Sequence, residues 1–213
     1  VRFFLQPRGP DTIRPLNDAP VQLQYELPEF DLLLDFLPSD FVQINGAINR
    51  RLTSRAVELL QLDANSRVLD LYCGLGNFTL PLARHAGEVV GVEGDTGLIE
   101  RARANAARNG ISNAQFHVAD LSQPPDPRVP WLTGSYTHVL LDPPRVGAEA
   151  MVDTLARLAP ERIVYVSCHT GSLARDVGAL CGPRGYRLAA AGVVDMFPHT
   201  THAESIALLE RQK

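Results

Sequence analysis

Short apolar runs alternating with stretches of helical periodicity fill the chain from Arg67 onward. Arg67–Cys73, Glu88–Glu93, Ala114–Val118, Thr137–Asp142 and Arg162–Ser167 have the length of buried strands, and Tyr186–Val194 and Glu204–Leu209 supply two more. Between them Phe78–His85 and Leu98–Asn109, the latter closed by Gly110, read as helices, and a further helix follows Cys168. Alternation of this kind predicts an α/β fold with a mostly parallel sheet covered on both faces. In such sheets a ligand lies beyond the carboxyl ends of the strands, where the strand order reverses. The residues just after each strand are therefore the ones to inspect.

Upstream, Ile48, Leu52, Ala56, Leu59 and Leu60 recur at helical spacing within Ile44–Leu62, with Arg50, Arg51 and Arg55 off that stripe as the best basic patch of this half. Before it, turn residues (Gly9-Pro10-Asp11 and Asn17-Asp18-Ala19-Pro20) separate short apolar stretches, ending in Val21–Leu27 and Phe30–Leu37, which read as strands. The division expected is a β-rich remnant of a preceding central region over 1–43 and one α/β domain over 44–213. A start without Met, inside the apolar stretch Val1–Leu5, reads as a fragment. Pro124, Pro125, Pro127 and Pro130 make Ser122–Trp131 a stiff surface loop.

Composition narrows this picture. The 213 residues suffice for one globular domain and an appendage, and 21% charged residues with 16 Gly and 16 Pro exclude disordered and fibrous classes. No apolar run approaches the ~20 residues of a membrane span and no signal peptide is legible, so a cytoplasmic protein without a membrane partner is expected. A formal charge of -4 argues against a surface that grips nucleic acid throughout, and 19 Arg against a single Lys213 reads as genomic base composition. The three cysteines, Cys73, Cys168 and Cys181, contain no CxxC pair, so neither a disulfide framework nor a four-thiolate metal site is predicted.

The first predicted strand runs into Asp70-Leu71-Tyr72-Cys73-Gly74-Leu75-Gly76-Asn77, and Glu93 ends the second strand 23 residues beyond Asp70. Gly74 and Gly76 allow a tight turn and close approach of a ligand to the backbone. The third glycine of a dinucleotide fingerprint is absent, so the loop is not built for a pyrophosphate. An acid in the position of Glu93 accepts hydrogen bonds from ribose hydroxyls. A nucleoside with a sulfonium instead of phosphate suits an acid-flanked glycine turn, which points to S-adenosylmethionine. Asp120, after the third strand, is placed to meet the adenine.

Asp142-Pro143-Pro144-Arg145 follows the fourth strand; an aromatic in place of Arg145 would mark amine methylation, and the charged residue disfavours it. Cys168, after the fifth strand, stands at a helix start whose partial positive charge is expected to favour the thiolate. Near the C-terminus Glu204, beside Pro198, His199 and His202, is a candidate general base. The two histidines and the acid lack the register of a metal site, and no metal is predicted.

The segments DFVQING, LDLYCGLGNFTLPLA, GVEG, LLDPPR, IVYVSC with LARD, and DMFPHTTHAES resemble the RNA (uracil-5-)-methyltransferase family. LQPRGPD and DMFPHT are most similar to its bacterial members acting on uridine of 23S ribosomal RNA, with the tRNA members as the alternative. The resemblance implies the class I S-adenosylmethionine-dependent methyltransferase fold, Rossmann-like, with a seven-stranded mostly parallel sheet and a small N-terminal β-rich segment. It implies Cys168 as nucleophile and Glu204 as base. Gln43, Tyr72, Gly74, Gly76, Asn77, Glu93, Asp120 and Asp142 would hold S-adenosylmethionine, with Gln43 and Asp142 bridging to the base. Arg145, Arg175, Phe197 and His199 are candidate RNA contacts, and a monomer is expected. The family's RNA-binding β-barrel and iron–sulfur cysteines are not in these residues, so a cluster is implied only for a part outside them. His169-Thr170-Gly171 departs from the family's Asn-Pro-Ala. A non-catalytic cofactor- or RNA-binding module is the reading from another class.

Overall fold

A computed structural model describes residues 3–9, 12–17, 22–182, 184–200 and 202–212. Val1, Arg2, Pro10, Asp11, Asp18, Ala19, Pro20, Val21, Pro183, Thr201 and Lys213, among them parts of the predicted N-terminal turns, lie outside the described residues. Two short antiparallel pairs open the chain: β1 (Phe4–Leu5) with β2 (Arg14–Pro15), and the hairpin β3 (Leu23–Leu27) with β4 (Leu32–Phe36). Then follow α1 (Gly46–Leu60), β5 (Arg67–Leu71), α2 (Thr79–Ala83), β6 (Glu88–Glu93), α3 (Thr96–Arg108), β7 (Ala114–Val118) and β8 (His138–Leu141). The chain closes with α4 (Val152–Leu158), β9 (Arg162–Ser167), α5 (Thr170–Leu180), β10 (Tyr186–Val194) and β11 (Glu204–Arg211).

The seven strands from β5 onward form one sheet in the order β10-β11-β9-β8-β5-β6-β7. Pairing is parallel from β9 through β7, while β11 runs antiparallel to both its neighbours. The chain leaves β5 on one side for β6 and β7, then returns past it to β8, so the strand order reverses between β5 and β8. Period-two alternation sorts the buried residues onto two faces. Val68, Leu140, Val164, Val166, Ile206 and Leu208 pack with α1, α2, α3 and the β3–β4 hairpin. Leu69, Leu71, Val139, Leu141, Ile163, Tyr165, Ala207 and Leu209 pack with α4 and α5.

Local chemistry sets the helix ends. Asn45 and Asp95 cap α1 and α3 by accepting the backbone N–H groups of Ile48 (3.3 Å) and Leu98 (3.0 Å). The helix predicted over Phe78–His85 is shorter, because Arg84 and His85 turn inward with bonds to the carbonyls three residues back, Pro81 and Leu82. The seven-residue α4 was not predicted; it is too short for its apolar spacing to register as periodicity. The proline loop ends in a 3-10 turn, Pro130–Leu132, that buries Trp131 at 3% exposure.

The β3–β4 hairpin is fastened to α3 by asparagine. Asn105 accepts the Asp35 N–H (2.8 Å) and donates to the carbonyls of Asp35 (3.1 Å) and Leu75 (3.2 Å). One turn later Asn109 pairs likewise with the N–H and carbonyl of Leu33, both at 2.9 Å. The helix thus satisfies the hairpin edge as a strand would. Removing a buried partner leaves backbone groups unpaired. Asn105→Ala should lower stability by about 1–3 kcal/mol, seen in urea titrations as a lower midpoint with an unchanged slope.

Candidate active site

The carboxyl ends of β5, β6, β8 and β9 converge on a cavity of about 500 Å³. Gln43, Tyr72, Gly74, Asn77, Glu93, Asp142, Arg145, Cys168 and Glu204 line it. Glu204 reaches this edge because β11 is reversed: its first residue lies where the parallel strands end, with Ser205 opposite Ser167. Continued by one residue, that register sets Glu204 level with Cys168.

At the end of β5 the backbone turns through Tyr72, a non-glycine residue in the left-handed region at φ 63°, and then Gly74 at φ 54°. A Cβ at Gly74 would meet nothing within 4 Å, so the backbone there is open to the cavity. The Gly74 N–H donates to Glu93 Oε2 (3.2 Å), and Glu93 Oε1 accepts from Gly94 (2.7 Å) and Asp95 (3.2 Å). Below the turn Asp70 is fully buried and accepts the Thr79 hydroxyl at 2.6 Å. Burial first, then the Asp142 and Glu93 carboxylates, push Asp70 up to about 8 against the pull of that hydrogen bond.

Asn77 lines the cavity while its amide braces the loop. It exchanges two hydrogen bonds with buried Asn49 of α1 (2.8 and 3.1 Å), and its Oδ1 also accepts the Tyr25 hydroxyl (3.0 Å). The segment from Phe41 to Gln43 reaches the same cavity, with Asp40 just before it accepting from Arg101 of α3 (2.7 Å). Two oxygens of the lining are buried without a protein partner, Gln43 Oε1 and Glu204 Oε2. Unpaired buried acceptors call for donors from a bound molecule.

The surroundings of Cys168 differ from the expectation. The α5 start was predicted to favour the thiolate, yet the Cys168 thiol is pushed up, by burial first and then by Glu204 and Asp142, with Arg145 pulling the other way. The helix begins at Thr170, and one of its first free N–H groups turns to His169: His169 Nδ1 accepts from Ser172 N–H at 3.1 Å. Burial also raises Glu204, and burial together with Glu204 pushes Asp142 up to about 7. A half-buried thiol thus stands among carboxyls that prefer protons.

Five residues named from the sequence lie outside the lining. Gly76 shapes the turn at φ 100°. Asp120 is exposed and accepts the Ser122 N–H at 2.8 Å. Arg175 is bonded to Asp176 and to the Val146 carbonyl. Phe197 packs against the core with its ring 6.2 Å from that of His202, and His199 is exposed at φ 67°. Conversely, Tyr25, Phe41, Val42, Cys73, Leu75, Phe78 and Leu98 line the cavity without having been proposed for it. Phe41 and Val42 adjoin Gln43 in the DFVQING segment; Tyr25 had no signal beyond strand alternation. Among the described residues no group of three or more His, Cys, Asp or Glu converges as a metal site, and no helix is long and apolar enough to cross a membrane.

The family model described as tRNA (uracil-5-)-methyltransferase matches residues 19–123 and 132–212. The chain belongs to this family. Over 211 residues it is 54% identical to the 23S rRNA (uracil(1939)-C(5))-methyltransferase RlmD of Xanthomonas euvesicatoria pv. vesicatoria, covering 99% of this chain and 47% of that protein. The RlmD of Stenotrophomonas maltophilia strain K279a is 52% identical over the same shares. The chain spans about half the length of these relatives. Among solved structures, the Pyrococcus abyssi tRNA (uracil-54, C5)-methyltransferase in complex with S-adenosyl-L-homocysteine is 33% identical, with a TM-score of 0.75 over 88% of this chain and 44% of that one. TYW2 of M. jannaschii in complex with AdoMet, at 16% identity and a TM-score of 0.63 over 93% of this chain and 90% of that one, shares the fold. The architecture of this family member is the class I S-adenosylmethionine-dependent methyltransferase fold.

The carboxylates that raise the Cys168 thiol can be tested directly. Iodoacetamide alkylation of Cys168, followed by peptide mass spectrometry across pH, should titrate above the ordinary thiol value of 9.0. Glu204→Gln removes one of the carboxyls that raise the thiol and should move the midpoint down.

Proposed function

We propose that this chain carries the catalytic part, residues 44–213, of an RNA methyltransferase that transfers a methyl group from S-adenosylmethionine to C5 of a uridine in 23S rRNA. Residues 1–43 would be the β-rich part of the region preceding it. The observation that carries this reading is one cavity in which Cys168, Glu204, Asp142 and the partnerless Gln43 carbonyl oxygen meet the glycine turn. The 54% identity to rRNA enzymes against 33% to a tRNA enzyme favours rRNA as substrate.

The residues fit the cofactor. Gly74 leaves its backbone open, Glu93 has acceptor capacity left for ribose hydroxyls, and Phe78, Leu98 and Cys73 give the cavity an apolar wall. Tyr72 and Asp142 would complete the binding site, with Asn77 and Gly76 holding the turn in shape and Asp120 outside the wall on the adenine side. When bound, the sulfonium supplies an electrophilic methyl group.

Carbon 5 of uracil is too weak a nucleophile to use that group unaided, and covalent catalysis supplies the missing electron density. Cys168 loses its proton to solvent and adds to C6, and the electron pair of the C5–C6 double bond moves onto C5 and the adjoining carbonyl. After C5 has been methylated, Glu204 takes the C5 proton; the pair from the broken C–H bond restores the double bond and expels the thiolate. A carboxyl raised by burial, as Glu204 is, is a stronger base than an exposed one, which suits removal of a proton from carbon. A stacked uridine cannot enter such a cavity, so the target base must be flipped or presented from a loop. Arg145 at the cavity wall, with Phe197 and His199 in the β10–β11 connection, would contact the RNA, and the protein would act as a monomer in the cytoplasm.

With 5-fluorouridine RNA and cofactor, the C5 position cannot lose a proton and a stable protein–RNA adduct should form. Cys168→Ala should abolish it, and a full-strength adduct in that variant would refute the assignment. Glu204→Gln on natural RNA should transfer methyl but slow turnover by roughly 10²–10⁴-fold, with methylated RNA accumulating on Cys168. Parallel assays on purified 23S rRNA and tRNA decide the substrate.

A further inference from the structure

One buried carboxylate near the cavity has no part in the chemistry above. Asp176 of α5 is 1% exposed. Its Oδ2 accepts the Tyr165 hydroxyl and the Ala148 N–H, each at 2.7 Å, and its Oδ1 accepts Arg175 Nε at 2.8 Å. The far end of Arg175 donates to the Val146 carbonyl at 2.8 Å. Three donors satisfy a buried charge that would otherwise be costly.

What these bonds hold is the turn after β8. The Gly147 N–H donates to the Pro144 carbonyl at 2.8 Å, closing a turn in which Arg145 is the second residue. Pro144, Arg145 and Val146 are exposed; the Arg145 guanidinium meets His202 Nδ1 at 3.2 Å, and the backbone of the turn is held from the other side. Arg175 takes hold of the turn at Val146 and Asp176 takes hold of it at Ala148. Gly147, at φ 83°, fits between: a Cβ there would lie 2.6 Å from Asp176 Oδ2 and 2.7 Å from an Arg175 nitrogen. The other end of the network is Tyr165, three residues before Cys168 on β9. The network therefore spans from the strand that delivers the nucleophile to the turn that carries Arg145.

We propose that Asp176, with Tyr165 and Arg175, is a positioning clamp that sets the Pro144–Gly147 turn, and with it the Arg145 side chain, against Cys168. Its contribution to catalysis rests on the methyltransferase reading above; its effect on Cys168 does not. Side chains that act on a substrate need a supporting shell that restricts them, and a hydrogen-bonded carboxylate restricts direction as well as distance. This also accounts for Arg175, which is spent on the fold rather than left free for RNA.

The test uses Cys168 as reporter, because Arg145 draws its thiol pKa down. In the RNA-free protein, Tyr165→Phe and Asp176→Asn should move the alkylation midpoint of Cys168 up and slow alkylation at pH 8 by about threefold. Adding Arg145→Gln to either should change the profile less than it does alone, since the coupled pair is already broken. On RNA, kcat for adduct formation should fall about tenfold or more with a smaller change in KM. Folded variants that keep the wild-type alkylation profile, with only a lower urea midpoint, would overturn the clamp. Should Asp176→Asn fail to fold, Tyr165→Phe and Arg175→Gln carry the same test. A wild-type protein that forms no adduct with RNA would instead count against the methyltransferase reading, and the alkylation cycle would still decide the clamp.

Discussion

The register between β9 and β11 is the constraint on which the site depends. Ser167 pairs with Ser205, both buried, and the Ser205 hydroxyl donates to the Ser167 carbonyl at 3.0 Å. Cys168 follows one of these serines and Glu204 precedes the other, so one antiparallel pair delivers both side chains to the same edge. Side chains alternate across a sheet, and a slip of one residue would send Glu204 to the opposite face and carry Ile206 and Leu208 out of their core. The pairing of β11 with β9 therefore fixes Glu204 at this edge. Stability of the sheet and geometry of the site are the same requirement here.

That placement creates an electrostatic conflict. Glu204 and Asp142 disfavour the Cys168 thiolate that the proposed addition would require, and Arg145 is the opposing charge among the groups acting on the sulfur. The balance of these charges weighs against ionisation of the Cys168 thiol. The orientation of Arg145 matters more under this arrangement than it would beside a thiol already ionised.

The inner strands β5, β6, β8, β9 and β11 were legible as apolar runs because they are buried on both faces, and the site was legible where it follows strand ends: Glu93, Asp142, Cys168 and Glu204 all line the cavity. Two kinds of information were not. Tyr25 reaches the cavity from a hairpin whose docking depends on Asn105 and Asn109, polar helix residues that pattern reading assigns to solvent or to a helix end. Arg175 looked like a free cation because its partners, Asp176 and the Val146 carbonyl, are an adjacent acid and a backbone group 29 residues away. The thiol differs from the expectation because burial and two carboxyls act on it, while one N–H of the helix start is taken by a neighbouring side chain.

That neighbour is His169, which stands where the resembled family has asparagine. An asparagine in an N-cap position accepts a backbone N–H through its side-chain oxygen. His169 does the same with Nδ1, accepting from Ser172 at 3.1 Å, while Ser167 Oγ receives the His169 N–H at 3.1 Å and Ser172 Oγ donates to the His169 carbonyl at 3.0 Å. The ring is larger than an amide and needs room. A Cβ on Gly171 would lie 2.9 Å from His169 Cε1, so the alanine of the family pattern would press on an imidazole whose position is set by its hydrogen bond. Histidine at 169 and glycine at 171 are therefore one change rather than two: the glycine makes the space that lets the imidazole cap the helix. The loop that carries Cys168 keeps its bonds by a different chemical group.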